Sequence, residues 1–141
     1  MRPFSDADHS AVRKLILQLT GEEISSPVLE SRFDYFRKKD FEFLYIAEST
    51  EGVAGLLGFR IRENVEDHTR YGEVTMLVVD ESFRRKGIAS QIMDFADKLA
   101  KEKNCVGLWL VSGFGREEHA HEFYKNYGFE VTGYRFVKKF E

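Results

Sequence analysis

The stretch LVVDESFRRKGIAS, residues 77–90, decides the fold because it joins three kinds of local structure. A β-branched run from Gly72 to Val79 predicts a buried central strand. Apolar residues recur at helical spacing between Gly87 and Lys101, which predicts an amphipathic helix. Three basic residues, 84–86, connect the two. A strand that leads through a basic turn into a helix is therefore the centre of the domain.

The flanking sequence supplies further helices and strands. The predicted elements are, in order, a helix from Ser5 to Gly21, a helix from Pro27 to Lys38, strands over 41–48 and 53–62, the strand and helix just described, a second central strand over 107–111, a helix over 117–126 and a final strand from Gly133 to Phe140. Two helices and a hairpin followed by strand–helix–strand–helix–strand indicate a mixed α+β or α/β sheet.

Composition limits the class of protein. The 141 residues suit a single domain over 1–141, and 43% hydrophobic with 32% charged content is ordinary for a globular protein. No apolar run approaches the roughly 20 residues that span a bilayer, so no membrane association is expected. Cys105 is the only cysteine, which excludes an internal disulfide and favours the cytoplasm. The net charge of −3 argues against broad nucleic-acid binding.

The basic turn is a candidate anion site. The first amides of a helix lack intrahelical partners and carry partial positive charge, to which the three basic side chains add. Gly87 allows a ligand to approach the backbone closely. On pattern alone, a solvated turn at an ordinary helix start is the commoner outcome. The nucleotide-binding motifs Gly-x-x-x-x-Gly-Lys-Ser/Thr and Gly-x-Gly-x-x-Gly are both absent from the sequence.

Two segments resemble a known family. Arg84-x-x-Gly87-x-Ala89 after an apolar strand resembles the acetyl-CoA signature of the GNAT N-acetyltransferases, Gln/Arg-x-x-Gly-x-Gly/Ala. Residues 120–129, AHEFYKNYGF, resemble the family's Ala-x-x-Phe-Tyr-x-x-x-Gly-Phe segment, and 133–139 resemble the last strand of small-molecule acetyltransferases. The family's first strand is cut short here, since only Met1 to Phe4 precede the first helix.

The resemblance implies a central mixed, mostly antiparallel sheet with about four flanking helices and a splayed central strand pair that holds acetyl-CoA. It also implies an N-acetyltransferase that moves the acetyl group directly to an amine. The residues it assigns to the cofactor are the strand backbone at Leu77, Val78 and Val79, the turn and helix start at Arg84, Arg85, Lys86, Gly87, Ile88, Ala89 and Ser90, and Asn126. Tyr124 falls at the position of the general acid, and Glu73 is the candidate general base, acting through water.

Each of these roles has an alternative. Tyr124 could be a core aromatic, Glu73 an exposed residue at a strand end, and Asn126 a surface or capping residue. His119 and His121 are spaced so that they do not share a helical face, so no metal site is expected. Cys105 is expected to be a buried small residue. The segment 112–116, SGFGR, is a candidate wall of the acceptor or pantetheine cleft, or a simple turn.

The acceptor is the least determined part of the function. A small-molecule amine is the preferred acceptor, and the alternatives are a protein lysine or N-terminus, or a non-catalytic acyl-CoA-binding module. Acidic Glu63, Glu66 and Asp67 would suit a cationic acceptor, or form only a solvated loop. The resemblance also allows a homodimer.

Overall fold

The computed structural model describes residues 1–112 and 118–140, except for the side chains of residues 118 and 119. The chain forms, in order, β1 (Arg2–Pro3), α1 (His9–Thr20), α2 (Ser26–Lys38), β2 (Glu42–Ser49), β3 (Gly52–Glu63), β4 (Arg70–Val79), α3 (Ile88–Glu102), β5 (Gly107–Leu110) and α4 (Glu118–Tyr127). Short 3-10 turns at Asp6–Asp8 and Glu81–Phe83 precede α1 and α3. The predicted elements up to residue 127 are thus confirmed within a few residues. No helix in the described ranges is long and apolar enough to cross a membrane.

Helix α1 ends and helix α2 begins where the sequence signals place them. Gly21 ends α1 in the left-handed conformation, with φ 77°, and its amide donates to the carbonyl of Leu17. The hydroxyl of Ser25 accepts a hydrogen bond from the amide of Val28 and caps α2, with Pro27 in the first turn.

The sheet has the strand order β1-β2-β3-β4-β5. The pairs from β1 to β4 are antiparallel, and β4 with β5 is parallel, so the predicted mixed, mostly antiparallel sheet is confirmed. Each face buries its own core. The α3 face, defined by Leu57, Phe59 and Val74, packs against α3 and α4, and the α1/α2 face, defined by Ile46, Leu56 and Val78, packs against α1 and α2.

Strands β4 and β5 separate along their length. Pairing extends only from Tyr71 with Gly107 to Val74 with Leu110. The rest of β4, Thr75 to Val79, has no strand on that side in the described part of the chain. The register between β3 and β4 shifts at the same level, because Phe59 pairs with Val74 and Gly58 with Met76. The extra residue, Thr75, forms a bulge at the level where the two parallel strands separate.

The predicted final strand from Gly133 to Phe140 is wrong. Residues 128–140 carry no strand, and Tyr134, Phe136 and Phe140 are each at least 80% exposed. An alternating pattern becomes a strand only where a neighbouring backbone accepts its hydrogen bonds, and residues 133–140 pair with no strand in the described part of the chain. For the same reason β5, expected to be central, is an edge strand among the described elements.

Candidate active site

The basic turn is tightly coiled and faces solvent. After the 3-10 turn, Arg85 and Gly87 both adopt left-handed backbone conformations, with φ 65° and 76°, and α3 begins at Ile88. Among the described residues, no side chain caps this helix start, so its first amides remain open to a ligand. A Cβ built at Gly87 would meet no atom of the described residues within 4 Å, which leaves open space above the turn.

The side chains of the turn surround this open space. Residues 84–87 and Ser90 are exposed. Ile88 and Ala89 are half-buried, and Ile88 packs against the α3-face core. Arg84 Nε donates to the carbonyl oxygen of Val79 at 3.5 Å, and Lys86 Nζ lies 5.5 Å from the centre of the Phe83 ring. Positive charge and uncapped amides therefore meet at one exposed point, an arrangement suited to a phosphate.

A buried carboxylate anchors the turn to the sheet. Asp80 follows β4 directly, is 4% exposed, and accepts hydrogen bonds from the hydroxyl and amide of Ser82 at 2.6 and 2.9 Å. Lys14 on α1 lies 3.2 Å away. Burial opposes ionisation of Asp80, but the Ser82 and Lys14 contacts outweigh it and lower the carboxyl pKa to about 2.

The free edge of β4 runs into this turn. Leu77 and Val79 lie on the α3 face, and Val78 lies on the α1/α2 face. On one side, their backbones pair with Leu57, Gly55 and Leu56 of β3. Their other edge is the one that β5 leaves open, so backbone donors and acceptors there are available to an extended ligand.

Helix α4 places Tyr124 on the α3 face. Its ring is half-buried and lies 5.6 Å from Phe123 and 6.0 Å from Phe129, centroid to centroid. Asn126, two residues on, is exposed. Tyr127 is held differently, because its hydroxyl donates to the carboxylate of Asp94; burial and this hydrogen bond raise the Tyr127 pKa.

Glu73 lies on the opposite face, in a row of side chains that crosses four strands. Register pairs Glu42 of β2 with Arg60 of β3, Arg60 with Glu73 of β4, and Glu73 with Trp109 of β5. Glu42, with a side chain 1% exposed, binds Arg60 Nε through Oε1. Glu73 Oε1 lies 3.6 Å from Arg60 Nη1, and its side chain is only 13% exposed.

A second arginine completes this group. Arg62 Nη1 donates to Glu73 Oε1 at 3.4 Å, and its guanidinium carbon lies 4.5 Å from the centre of the Trp109 ring. We call Glu42, Arg60, Glu73, Arg62 and Trp109 the charged row. Sequence reasoning found Glu73 but missed the other four. The signal was present in the β2–β3 hairpin, whose register alone places Glu42 opposite Arg60.

The remaining predicted residues are not brought to this site as one group. Cys105, expected to be buried, is only half-buried and packs against the α3-face core. Asp67 accepts hydrogen bonds from Thr69, and Glu63 pairs with Arg70 at 2.7 Å, so both acidic residues hold the β3–β4 loop. Residues 113–116 of the SGFGR segment and the side chain of His119 lie outside the described residues. In the described ranges, no group of three or more His, Cys, Asp or Glu could hold a metal ion.

The family match assigns this combination of mixed sheet, open strand edge and basic helix start to an acetyltransferase. The chain belongs to the GNAT acetyltransferase family, whose sequence model matches residues 11–129. No curated protein matches the sequence.

Solved structures share the fold across nearly the whole chain. A transcriptional regulator from Bacillus halodurans is 21% identical with a TM-score of 0.88, over 99% of this chain and 97% of that one. Glucosamine-6-phosphate N-acetyltransferase from Arabidopsis thaliana is 20% identical with a TM-score of 0.81, over 99% and 97%. An aminoglycoside N-acetyltransferase in complex with CoA is 18% identical with a TM-score of 0.83, over 98% and 91%. These similarities confirm the fold.

Proposed function

We propose that this chain transfers an acetyl group from acetyl-CoA directly to the primary amine of a small molecule, as one domain over residues 1–141. The observation that carries the proposal is the continuity of the open β4 edge, Thr75 to Val79, with the basic turn that starts α3. An extended, polar chain can pair with the edge while its phosphates bind the turn. CoA has both parts, a pantetheine arm and a diphosphate.

The cofactor assignment follows from this continuity. The pantetheine amides pair with the backbone of Leu77, Val78 and Val79, like an added strand. The diphosphate binds the amides of residues 87–90 and the side chains of 84–86. Asn126, exposed at the end of α4, is assigned to the cofactor by its position in the family motif.

The chemistry requires a proton acceptor and a proton donor. A neutral amine is needed, because an alkylammonium with a pKa of about 10 is not nucleophilic at neutral pH. We assign deprotonation to Glu73, acting through water. The amine nitrogen then attacks the thioester carbonyl carbon and the new C–N bond forms. The nitrogen loses its second proton to solvent as the C–S bond breaks. Tyr124 gives its phenolic proton to the departing thiolate and regains a proton from solvent.

The faces of the sheet support this division of roles. Glu73 belongs to the α1/α2 face, since it alternates with Val74 on the α3 face, and Tyr124 packs on the α3 face. Base and acid therefore lie on opposite faces of the sheet. This separation suits a direct transfer in which acceptor and leaving thiolate lie on opposite sides of the acetyl carbon.

A thiol-release assay with acetyl-CoA tests the proposal. The panel holds ethanolamine, propanolamine, O-phosphoethanolamine, β-alanine, spermidine and a lysine-containing peptide. Release with at least one small amine, with the acetylated product identified by mass, is expected. Release with the peptide alone would assign a protein acceptor instead. Binding of acetyl-CoA without release from any amine would identify a non-catalytic binding module.

A further inference from the structure

We infer that the acceptor carries an anionic group close to its amine, and that Arg62, held on Trp109, binds that group. The inference rests on the proposed function, because it takes Glu73 as the group that meets the amine. It adds the class of acceptor: an amino acid or an amine with a phosphate, in which ammonium and anion are a few bonds apart.

The two arginines of the charged row make different contacts. Arg60 lies between Glu42 and Glu73, with its Nε bound to the buried carboxylate of Glu42. The other oxygen of Glu42, Oε2, is buried and has no hydrogen-bond partner in the part of the chain that the structure describes. Removing Arg60 from Glu42 would leave that buried charge uncompensated, which is costly. Arg60 is therefore a fixed structural partner of Glu42.

Arg62 is placed to bind a substrate. Its side chain is 45% exposed, and its one contact with Glu73, at 3.4 Å, is long for a charged hydrogen bond. A guanidinium offers five N–H donors in a planar fork that matches a carboxylate or a phosphate. The Trp109 ring, 4.5 Å away, holds the plane of that fork in one orientation.

The charge balance of the row also favours an anionic acceptor. Two glutamates and two arginines cancel in the resting protein. When Glu73 takes the proton of the amine, the row gains one positive charge and Arg62 loses its carboxylate partner. An anion on the acceptor restores the balance at Arg62. A polycation, in contrast, would meet Arg62 beside the base, and such like-charge contacts are strongly unfavourable.

Matched pairs of acceptors test this directly. O-phosphoethanolamine is compared with ethanolamine, and β-alanine with propanolamine, by kcat/KM in the thiol-release assay. The ratio of anionic to neutral acceptor is the readout, because a change in Glu73 itself affects both members of a pair alike. In the wild-type protein we expect a ratio of about ten or more in at least one pair, the size of one hydrogen bond to a charged group. Whichever pair shows the larger ratio identifies phosphate or carboxylate as the anion.

Three variants test whether Arg62 causes the preference for anionic acceptors. Arg62→Ala should bring the ratio close to one, and Arg62→Lys, which keeps the charge without the fork, should give an intermediate ratio. Arg32→Ala removes the same charge from an exposed position on α2 and should leave the ratio unchanged. A wild-type ratio of one or less, or a ratio unaffected by Arg62→Ala, would overturn the inference. Thiol release with neutral amines would still support the proposed transferase activity in that case. The absence of release with every amine would instead overturn the proposed function.

Discussion

The carboxylate of Asp80 lies 3.2 Å from the ammonium of Lys14, so helix α1 is joined to the end of β4 just before the basic turn. Asp80 is buried and also holds the 3-10 turn through Ser82. One carboxylate thus connects the α1/α2 layer, the open strand edge and the start of α3. The position of the anion site depends on this contact.

Asp80 makes the stability of the fold depend on acid pH. Its folded-state pKa is about 2, below the ordinary value of 3.8, so its contribution is complete above about pH 4 and is lost as the pH falls toward 2. Asp80→Asn should lower the free energy of unfolding by about 2 kcal/mol at pH 7. Urea unfolding at pH 7 and near pH 2 measures this, and the difference from wild type should shrink at the lower pH.

The control for Asp80 is Asp97→Asn, which changes a more exposed carboxylate of α3 that pairs with Lys101. It should have little effect on stability at either pH. A loss in Asp80→Asn that is the same at both pH values would show that shape, and not charge, is what the site requires.

The basic turn should govern affinity for the cofactor and not the rate of transfer. The double variant Arg85→Ala/Lys86→Ala should raise the Kd for acetyl-CoA by about a hundredfold, because each of the two charge-assisted contacts to phosphate contributes about tenfold. The value of kcat at saturating acetyl-CoA should change little. Fluorescence or calorimetric titration measures the Kd.

A matched variant separates local contact from general charge. Lys98→Ala/Lys101→Ala removes two positive charges from the same helix near its other end, and we expect acetyl-CoA affinity to be retained. If both double variants weaken binding equally, long-range attraction and not a phosphate site would explain the effect.

Local patterns in the sequence predicted α1 to α4 and β2 to β5, because each of these elements carries its own periodicity or capping residue. The basic turn between Val79 and Ile88 was equally local and was placed correctly. The charged row was not predicted, since Glu42, Arg60 and Trp109 are far apart in sequence and meet only through strand register.

The C-terminal segment shows the opposite error. Tyr134, Phe136 and Phe140 have strand periodicity, but a strand also needs a backbone partner, and periodicity carries no information about one. The bulge at Thr75 was likewise not predicted from the sequence. Because it adds one residue to β4, it brings Glu73 and Met76 to the same face of the sheet.

Tyr124 should affect turnover far more than binding. Tyr124→Phe keeps the ring that packs near Phe123 and Phe129 and removes the proton donor. We expect kcat to fall about a hundredfold with an unchanged Kd for acetyl-CoA. Tyr127→Phe on the same helix is the control, because its hydroxyl bonds Asp94, and it should cost stability without a comparable loss of kcat. Equal kcat losses in both variants would remove the acid role from Tyr124.

Glu73 should control the pH dependence of the reaction. Glu73→Gln keeps a hydrogen-bond acceptor near Arg60 and Arg62 but cannot take a proton. We expect kcat/KM to fall about a hundredfold and the acidic limb of the pH–rate profile to disappear. Glu63→Gln, a carboxylate in the β3–β4 loop that pairs with Arg70, is the matched control and should keep the limb.

A structural role for Glu73 would have a different signature. Losing its ion pairs with Arg60 and Arg62 lowers Tm, whether or not the residue is a base. Glu73→Asp keeps the proton-accepting group on a shorter side chain, so it should retain the acidic limb while Tm falls. A Glu73→Gln protein with lowered Tm but a wild-type pH–rate profile would show that Glu73 only orders the charged row.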